Sequence, residues 1–154
     1  GDFKPGRKGS TLKWHEHAIG PLICYEIIFP SLARAMAAGG ANLLVSQTND
    51  AWFGRTSAAY QHFSMGVFRA VENRRSLVRA ANTGISGYID PTGRIQQQTP
   101  LFAEATLTQP VALLDSEAIY SRIGDLFAQI CLALAAGFLL WRLWMRRLKK
   151  GPAQ

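Results

Sequence analysis

The sequence contains little cysteine and little charge, and both shortages exclude whole classes of protein. Only two of its 154 residues are cysteines, which is too few for a disulfide-dense scaffold or a zinc-ribbon module. Charged residues make up 18% of the chain and hydrophobic residues 48%, which excludes an intrinsically disordered chain. P-loop, GxGxxG, GxSxG and HExxH motifs are absent as well. The length suits one modest domain, for which we predict neither a metal nor a cofactor.

The excess of basic residues is concentrated at one end of the chain. The formal net charge is +7, and residues 142–150 contain five cations and no acidic residue. Elsewhere the basic and acidic residues nearly balance. Because a nucleic-acid-binding protein normally spreads its basic residues over the folded surface, we predict no nucleic-acid partner.

An apolar segment leads into this basic cluster. Residues 126–141 carry no formal charge. The longer stretch 123–144, with the Arg142 side chain extending toward water, reaches the length of about 20 residues that a helix needs to cross a bilayer. Trp141 and Trp144 are typical of the membrane interface. The sequence therefore predicts a transmembrane helix, and the alternative is a buried core helix with a basic tail.

The position of the cations also predicts the topology. By the positive-inside rule, residues 123–145 form the transmembrane helix and residues 146–154 form a basic cytoplasmic tail. Residues 1–122 then lie on the opposite side of the membrane, which is the periplasmic side in a bacterium. The opening of the chain, which has no Met and no N-terminal signal, resembles the middle of a protein.

The remaining sequence alternates between strand and helix patterns, after an irregular lead-in over residues 1–13. Pro in the first turn and a Gly-Gly pair at the end indicate a helix over residues 30–38, and helical spacing of Phe63, Val67, Ala70 and Val71 indicates another over residues 58–76. This alternation, followed by hairpins, favours a mixed α and β layered fold. The predicted strands are residues 18–24, 42–47, 77–81, 86–89 and 94–99, with a possible last strand at 111–114.

Cys24 is the strongest candidate for chemistry. It ends an apolar strand and precedes a helical segment, so its thiol is expected on a tight bend. Backbone N–H groups near such a bend can favour a thiolate and stabilise an oxyanion. The alternative is a buried structural cysteine, which behaves as a small hydrophobic residue.

The other titratable residues give weaker signals. His15 and His17 could face one side of an extended segment, but no third metal ligand is evident, so surface or packing roles are expected. His62 could form a Cys–His pair with Cys24, which spacing alone does not test. Cys131 lies in the apolar segment and is expected to pack there. Four arginines are interpreted as a mostly solvated face that could also meet lipid phosphates: Arg69, Arg74, Arg75 and Arg79.

Three motifs carry a family resemblance. The runs ICYEIIFP at residues 23–30, TNDAWFG at 48–54 and QHF at 61–63 resemble the nitrilase, or carbon–nitrogen hydrolase, superfamily. Together with the C-terminal apolar helix, they resemble more narrowly its membrane branch, the apolipoprotein N-acyltransferases. The resemblance covers nearly the whole chain but only the C-terminal third of a typical member. It implies an α+β fold, namely part of a four-layer α-β-β-α sandwich followed by a C-terminal transmembrane helix.

The resemblance also implies roles for particular residues. The family uses a Glu–Lys–Cys triad, in which Cys24 matches the nucleophile. No residue before Cys24 matches the base Glu or the oxyanion-stabilising Lys, because Glu16 and Lys13 are too close to it and in another context. The isolated chain is therefore expected to be inactive. The supporting active-site residues that the motifs imply are Tyr25, Glu26, Asn49, Asp50 and Trp52.

The function that the resemblance implies is the last step of bacterial lipoprotein maturation. A fatty acyl chain passes from a phospholipid donor, through a Cys thioester, to the N-terminal amine of an S-diacylglyceryl-cysteine lipoprotein. The expected location is the bacterial inner (plasma) membrane, with the catalytic domain facing the periplasm. Two alternatives remain open, namely a nitrilase-type amidase acting on small amides and a non-catalytic membrane-anchored remnant.

Overall fold

The chain divides into two units, residues 1–122 and residues 123–154. A computed structural model of the chain describes residue 4 and residues 6–149. The predicted irregular lead-in and the predicted basic tail therefore lie partly outside the described residues.

One mixed six-stranded sheet forms the centre of the first unit, with its strands in chain order from β1 to β6. The central strands β2, β3 and β4 run parallel, and the outer pairs β1–β2, β4–β5 and β5–β6 are antiparallel. The strands are β1 Leu12–Trp14, β2 His17–Ile23, β3 Leu43–Asn49, β4 Ser76–Asn82, β5 Gly87–Ile89 and β6 Ile95–Gln98.

Two helices connect the parallel strands, α1 Pro30–Ala38 between β2 and β3 and α2 Ser57–Asn73 between β3 and β4. Since both crossovers advance in the same direction along the sheet, right-handed connections place both helices on one face. The Thr56 hydroxyl accepts a hydrogen bond from the Ala58 N–H and caps α2, which ends where Arg74 adopts a left-handed conformation. Two short 3-10 helices, Cys24–Ile28 and Ala51–Phe53, follow the carboxyl ends of β2 and β3.

The core lies between the sheet and these helices. Leu44 of β3, Leu77 of β4 and Ile89 of β5 are paired across the sheet and are fully or almost fully buried. Gly66 lets α2 approach this row closely, because a Cβ there would meet the Ile89 and Leu77 side chains at 3.2 and 3.4 Å. The core cluster is Leu22, Ile27, Ala33, Ala41, Leu44, Phe63, Ala70, Leu77, Ile85 and Ile89.

The structure agrees with most of the predicted elements and corrects several. The helix over residues 30–38 has the predicted ends, and five predicted strands are present with ends shifted by one or two residues. Strand β1 lies partly in the segment predicted as irregular, and residues 111–114 form no strand. The helix predicted to reach residue 76 ends at Asn73.

The buried face of α2 also differs from the predicted apolar stripe. Val71 is exposed, whereas the polar residues His62, Arg69 and Asn73 are buried on the face that packs on the core. The helical spacing predicted the helix correctly. Part of its buried face is polar, however, and polar residues give no hydrophobic signal in the sequence.

The second unit is dominated by one long apolar helix, α4 Leu126–Lys149. It begins three residues later than the predicted start at 123, because the short helix α3 Ile119–Ile123 is followed by Gly124, which adopts φ +58° and interrupts the helix. The segment Leu126–Arg146 is long and apolar enough to cross a membrane, with a mean hydropathy of 1.8. None of it is buried within the chain, which does not favour the alternative of a core helix.

Candidate active site

The candidate site lies where the parallel strands end. Cys24 directly follows β2 and Asp50 directly follows β3, so both lie at the same edge of the sheet. This edge, at the carboxyl ends of parallel strands, is where ligands commonly bind in open α/β sheets. The predicted site residues from both motifs therefore come from adjacent loops.

Cys24 occupies the sharp turn that the sequence predicts. It is half-buried and has φ +51°, a left-handed conformation that is uncommon for a residue other than glycine. Such strain persists only where the surrounding structure holds the backbone in place, and it is concentrated at functional sites. The thiol is free, as expected for a nucleophile.

Glu26 stabilises this turn from the following residues. Its Oε2 accepts a hydrogen bond of 2.8 Å from the Ile23 N–H, which closes the start of the 3-10 helix. The Glu26 side chain is exposed, so it is held by this bond and not by packing. In this position Glu26 can orient the backbone on both sides of Cys24.

An open apolar pocket of about 260 Å³ adjoins the thiol. Besides Cys24, it is lined by Tyr25, Trp52, Phe53 and His62. Trp52 is 80% exposed, so it is not packed as an ordinary loop tryptophan would be. The pocket has room for an apolar ligand close to the sulfur.

The two polar residues Asn49 and Asp50, which precede Ala51 and Trp52, act differently from one another. Asn49 is exposed, and its Oδ1 accepts a hydrogen bond from the Ala51 N–H, which is the local loop role expected of an Asn. Asp50 is 1% exposed and reaches away from its own loop. Its Oδ1 accepts a hydrogen bond from the Thr48 hydroxyl at 2.9 Å and lies 3.0 Å from His62 Nδ1.

A third buried residue completes this cluster. Arg79 of β4 is 2% exposed, and its Nη2 donates to Asp50 Oδ2 at 2.7 Å. The same Nη2 lies 3.0 Å from His62 Nδ1. We call Asp50, His62 and Arg79 the buried triad. A Cβ on Gly84 would lie 2.5 Å from Asp50 Oδ2, so the backbone there closes tightly over the carboxylate.

The electrostatics of the buried triad favour a neutral imidazole. Burial lowers the pKa of His62 below its ordinary value, as does the nearby charge of Arg79, while Asp50 and the Cys24 backbone act in the opposite direction. Burial also lowers the pKa of Arg79, and the Asp50 carboxylate opposes that shift. The carboxylate and guanidinium therefore compensate each other's charge beside an uncharged ring.

The prediction that four arginines form a solvated face is wrong for three of them. Arg69 donates to Glu72 and to the Ile28 carbonyl, and Arg75 donates to the Ala41 and Ser116 carbonyls. With Arg79 these side chains are buried and partnered, and only Arg74 is exposed. Except for Glu72, three residues after Arg69, these partners are distant in sequence, so charge alone could not distinguish the buried arginines from surface residues.

Of the remaining candidates, only His62 is among the residues that line the candidate pocket. His15 lies in the turn between β1 and β2 with φ +51°, so the expected continuous strand through His15 and His17 is wrong. Within the part of the chain that the structure describes, no three His, Cys, Asp or Glu side chains are grouped as metal ligands. Cys131 is exposed on α4, so the expected packing of this thiol within the chain is absent. His62 does share a pocket with Cys24, as the sequence allowed.

Comparison with known proteins shows the family to which this chain belongs. A carbon–nitrogen hydrolase family model matches residues 3–120. The chain belongs to the carbon–nitrogen hydrolase family. Solved nitrilase-superfamily structures resemble its fold, which confirms the predicted α+β class. The described residues provide one sheet and the helical layer on one of its faces.

Curated proteins named apolipoprotein N-acyltransferase are similar in sequence to this carbon–nitrogen hydrolase chain. The apolipoprotein N-acyltransferase of Geobacter metallireducens is 57% identical over 136 residues, which are 88% of this chain and 26% of the relative. That of Thermotoga maritima is 39% identical over 86% of this chain and 27% of its own. The chain thus spans about a quarter of the length of these curated relatives.

Among solved structures, yeast Nit3, a member of the nitrilase superfamily, has a TM-score of 0.54 and 26% identity over 66% of this chain and 40% of its own. A mutant amidase from Nesterenkonia sp. AN1, in which acrylamide has added to the active-site cysteine, has a TM-score of 0.52 and 29% identity. That match covers 64% of this chain and 41% of the amidase.

Proposed function

We propose that this chain is part of an apolipoprotein N-acyltransferase and that Cys24 is its nucleophile. The observation that carries the proposal is the strained Cys24 turn beside an apolar pocket, in a chain 57% identical to a protein of that name. In the first step the Cys24 thiolate attacks the ester carbonyl of a phospholipid, the C–S bond forms, and the lysophospholipid alkoxide leaves and takes up a proton. In the second step the N-terminal amine of a diacylglyceryl-modified lipoprotein attacks the thioester carbonyl, the C–N bond of the amide forms, the C–S bond breaks, and the proton lost by the amine regenerates the thiol.

The apolar surroundings of Cys24 support a lipid acyl donor. The pocket is lined by three aromatic side chains, and a second cavity of about 340 Å³ shares Tyr25, Phe53 and His62 with it. Both substrates are lipids, so a transmembrane anchor would confine the enzyme and its substrates to the same surface. The helix Leu126–Arg146 is the proposed anchor.

Hydrolysis of small amides is the second candidate, because the solved structure of an amidase resembles the fold. The deciding experiment gives the complete protein a phospholipid with a diacylglyceryl-cysteine peptide, and in parallel a series of small amides. We expect N-acylated peptide and no more than background ammonia release. Rapid amide hydrolysis without peptide acylation would instead establish the amidase.

The 154-residue chain alone is predicted to form little N-acylated peptide. No residue before Cys24 matches the family's base and oxyanion-stabilising residues, and Glu16 is exposed at the opposite end of β2 from Cys24. The measurement compares this chain with the complete protein in the same assay, at equal concentrations. Equal turnover by both would show that the catalytic groups have been wrongly assigned, while inactivity of both would favour the non-catalytic remnant.

The proposed topology places residues 1–122 in the periplasm, residues 123–145 in the membrane and residues 146–154 in the cytoplasm. Its basis is the cation cluster at the end of α4. A reporter fused after residue 154 is expected to be active only if it is of the kind that works in the cytoplasm. Activity of a reporter that works only outside the cytoplasm would contradict this orientation.

A further inference from the structure

Three buried polar atoms of the buried triad have no hydrogen-bond partner among the described residues, namely His62 Nε2, Arg79 Nε and Arg79 Nη1. The Nδ1 atom of His62 faces Asp50 and Arg79 at 3.0 Å, whereas its Nε2 has no hydrogen-bond partner among the described residues and is buried. A buried polar atom without a partner is costly, and such atoms are concentrated where function requires them. His62 as a whole is 4% exposed.

His62 faces the candidate nucleophile. It lines the same pocket as Cys24, and the Cys24 backbone is close enough to raise the pKa of the imidazole. The ring is fixed on its other sides by Tyr25 and Phe53, whose ring centroids lie 5.8 and 5.3 Å away. The imidazole is therefore held in one orientation against the segment with the strained φ angle of +51°.

We propose that His62, oriented by Asp50 and Arg79, is a positioning residue that holds the Cys24 turn in the geometry that acyl transfer requires. This inference rests on the proposed function of Cys24 as the nucleophile. It predicts that His62 matters for a reaction that needs alignment of the sulfur with a carbonyl, and matters little for one that does not. A displacement of about 1 Å in such an alignment can lower a rate about 100-fold.

Two reagents distinguish the alignment of the Cys24 sulfur with a carbonyl from simple access to the thiol. With p-nitrophenyl butyrate, the Cys24 thiolate attacks the ester carbonyl, the C–S bond forms, and p-nitrophenolate leaves. With iodoacetamide, the thiolate displaces iodide and needs no oxyanion site. Both products are quantified by mass spectrometry of the complete protein, each as a fraction of the total Cys24 peptide.

The variants His62→Gln and His62→Leu test the proposal. Gln retains a polar amide near the Nε2 position, whereas Leu is of comparable size and apolar, so a role in packing alone would favour Leu. We expect the acylation rate to fall about 100-fold in His62→Leu and less in His62→Gln, with alkylation within about threefold of wild type in both. His15→Gln, in an exposed turn, is the matched control and should change neither rate.

The pH profile provides a readout that a packing role would not change. The titratable and charged groups facing His62 are Asp50 after β3, Arg79 on β4, and Cys24 and Tyr25 of the 3-10 helix. Because burial lowers the pKa of His62 from its ordinary value, the neutral form of the ring is favoured near neutrality, and a proton added in more acidic solution makes it a second cation beside Arg79. The ratio of acylation to alkylation, in which ionisation of the thiol cancels, should be constant near neutrality and fall in acidic solution. In His62→Gln the ratio should not depend on pH.

The outcomes are decisive in both directions. Acylation no faster in the wild type than in His62→Leu overturns the proposal, as does a parallel loss of acylation and alkylation, which would indicate a structural role. Because the ester probe does not depend on the natural donor, a failure of the phospholipid assay with a normal ester result would contradict the proposed function alone.

Discussion

Replacement of Cys24 by alanine is expected to abolish the covalent acyl intermediate, and replacement by serine is expected to lower turnover by roughly 1000-fold or more. The thiolate is both a strong nucleophile and a reasonable leaving group, so it can accept an acyl chain and release it. A serine hydroxyl has nearly the same size but ionises far less readily. The folded structure should tolerate both changes, because the Cys24 side chain is only half-buried.

The measurement is intact-protein mass spectrometry of the complete enzyme after incubation with phospholipid and no amine acceptor. The wild type should gain one acyl mass, and the Cys24→Ala variant should gain none. Cys131→Ala is the matched control, since that thiol belongs to α4 and is not among the residues that line the candidate pocket, so its loss should leave the adduct unchanged. An adduct that persists in Cys24→Ala, or that maps to Cys131, would exclude Cys24 as the nucleophile.

The parts of the fold that could be predicted from sequence are those with local causes. Pro30 at the first turn and Gly40, which adopts φ +91° just after the C-cap, fix the ends of α1, because both residues act on their own backbone. The turn at Cys24 follows from an apolar strand that runs into a helical segment. Such signals need no knowledge of what lies across the sheet.

The buried triad could not be predicted, because its causes are not local. Arg79 lies 29 residues after Asp50 and 17 after His62, and only the β3–β4 pairing and the position of α2 bring them together. One signal was available in β4. Leu77 and Arg79 are two residues apart in this strand, so their side chains point to the same face of the sheet, and burial of Leu77 implies burial of Arg79. Charge composition alone favoured a solvated arginine, which is the commoner case.

Removal of the Asp50 carboxylate is expected to cause the largest loss of stability of any single change in the candidate site. In Asp50→Ala the Arg79 guanidinium stays in the core without its anionic partner, and breaking a buried ion pair in this way costs about 3–5 kcal/mol. The Thr48 hydroxyl loses its acceptor as well, and the His62 ring loses a polar neighbour 3.0 Å from its Nδ1. For a domain of this size about 2–4 °C of melting temperature corresponds to 1 kcal/mol, so the domain should melt about 10 °C lower.

Two further variants show whether the unpaired charge is the cause. The double variant Asp50→Ala, Arg79→Met removes both charges and should melt higher than Asp50→Ala alone, because an apolar side chain leaves no unpaired cation in the core. Glu117→Gln removes one partner of the exposed Glu117–Arg122 pair and should change stability by no more than about 1 kcal/mol. Thermal unfolding of the complete protein in detergent, followed through the domain's transition, provides the comparison. If Asp50→Ala melts at the wild-type temperature, or if the double variant is less stable than the single one, the ion pair is not what holds α2 and β4 around the Cys24 pocket.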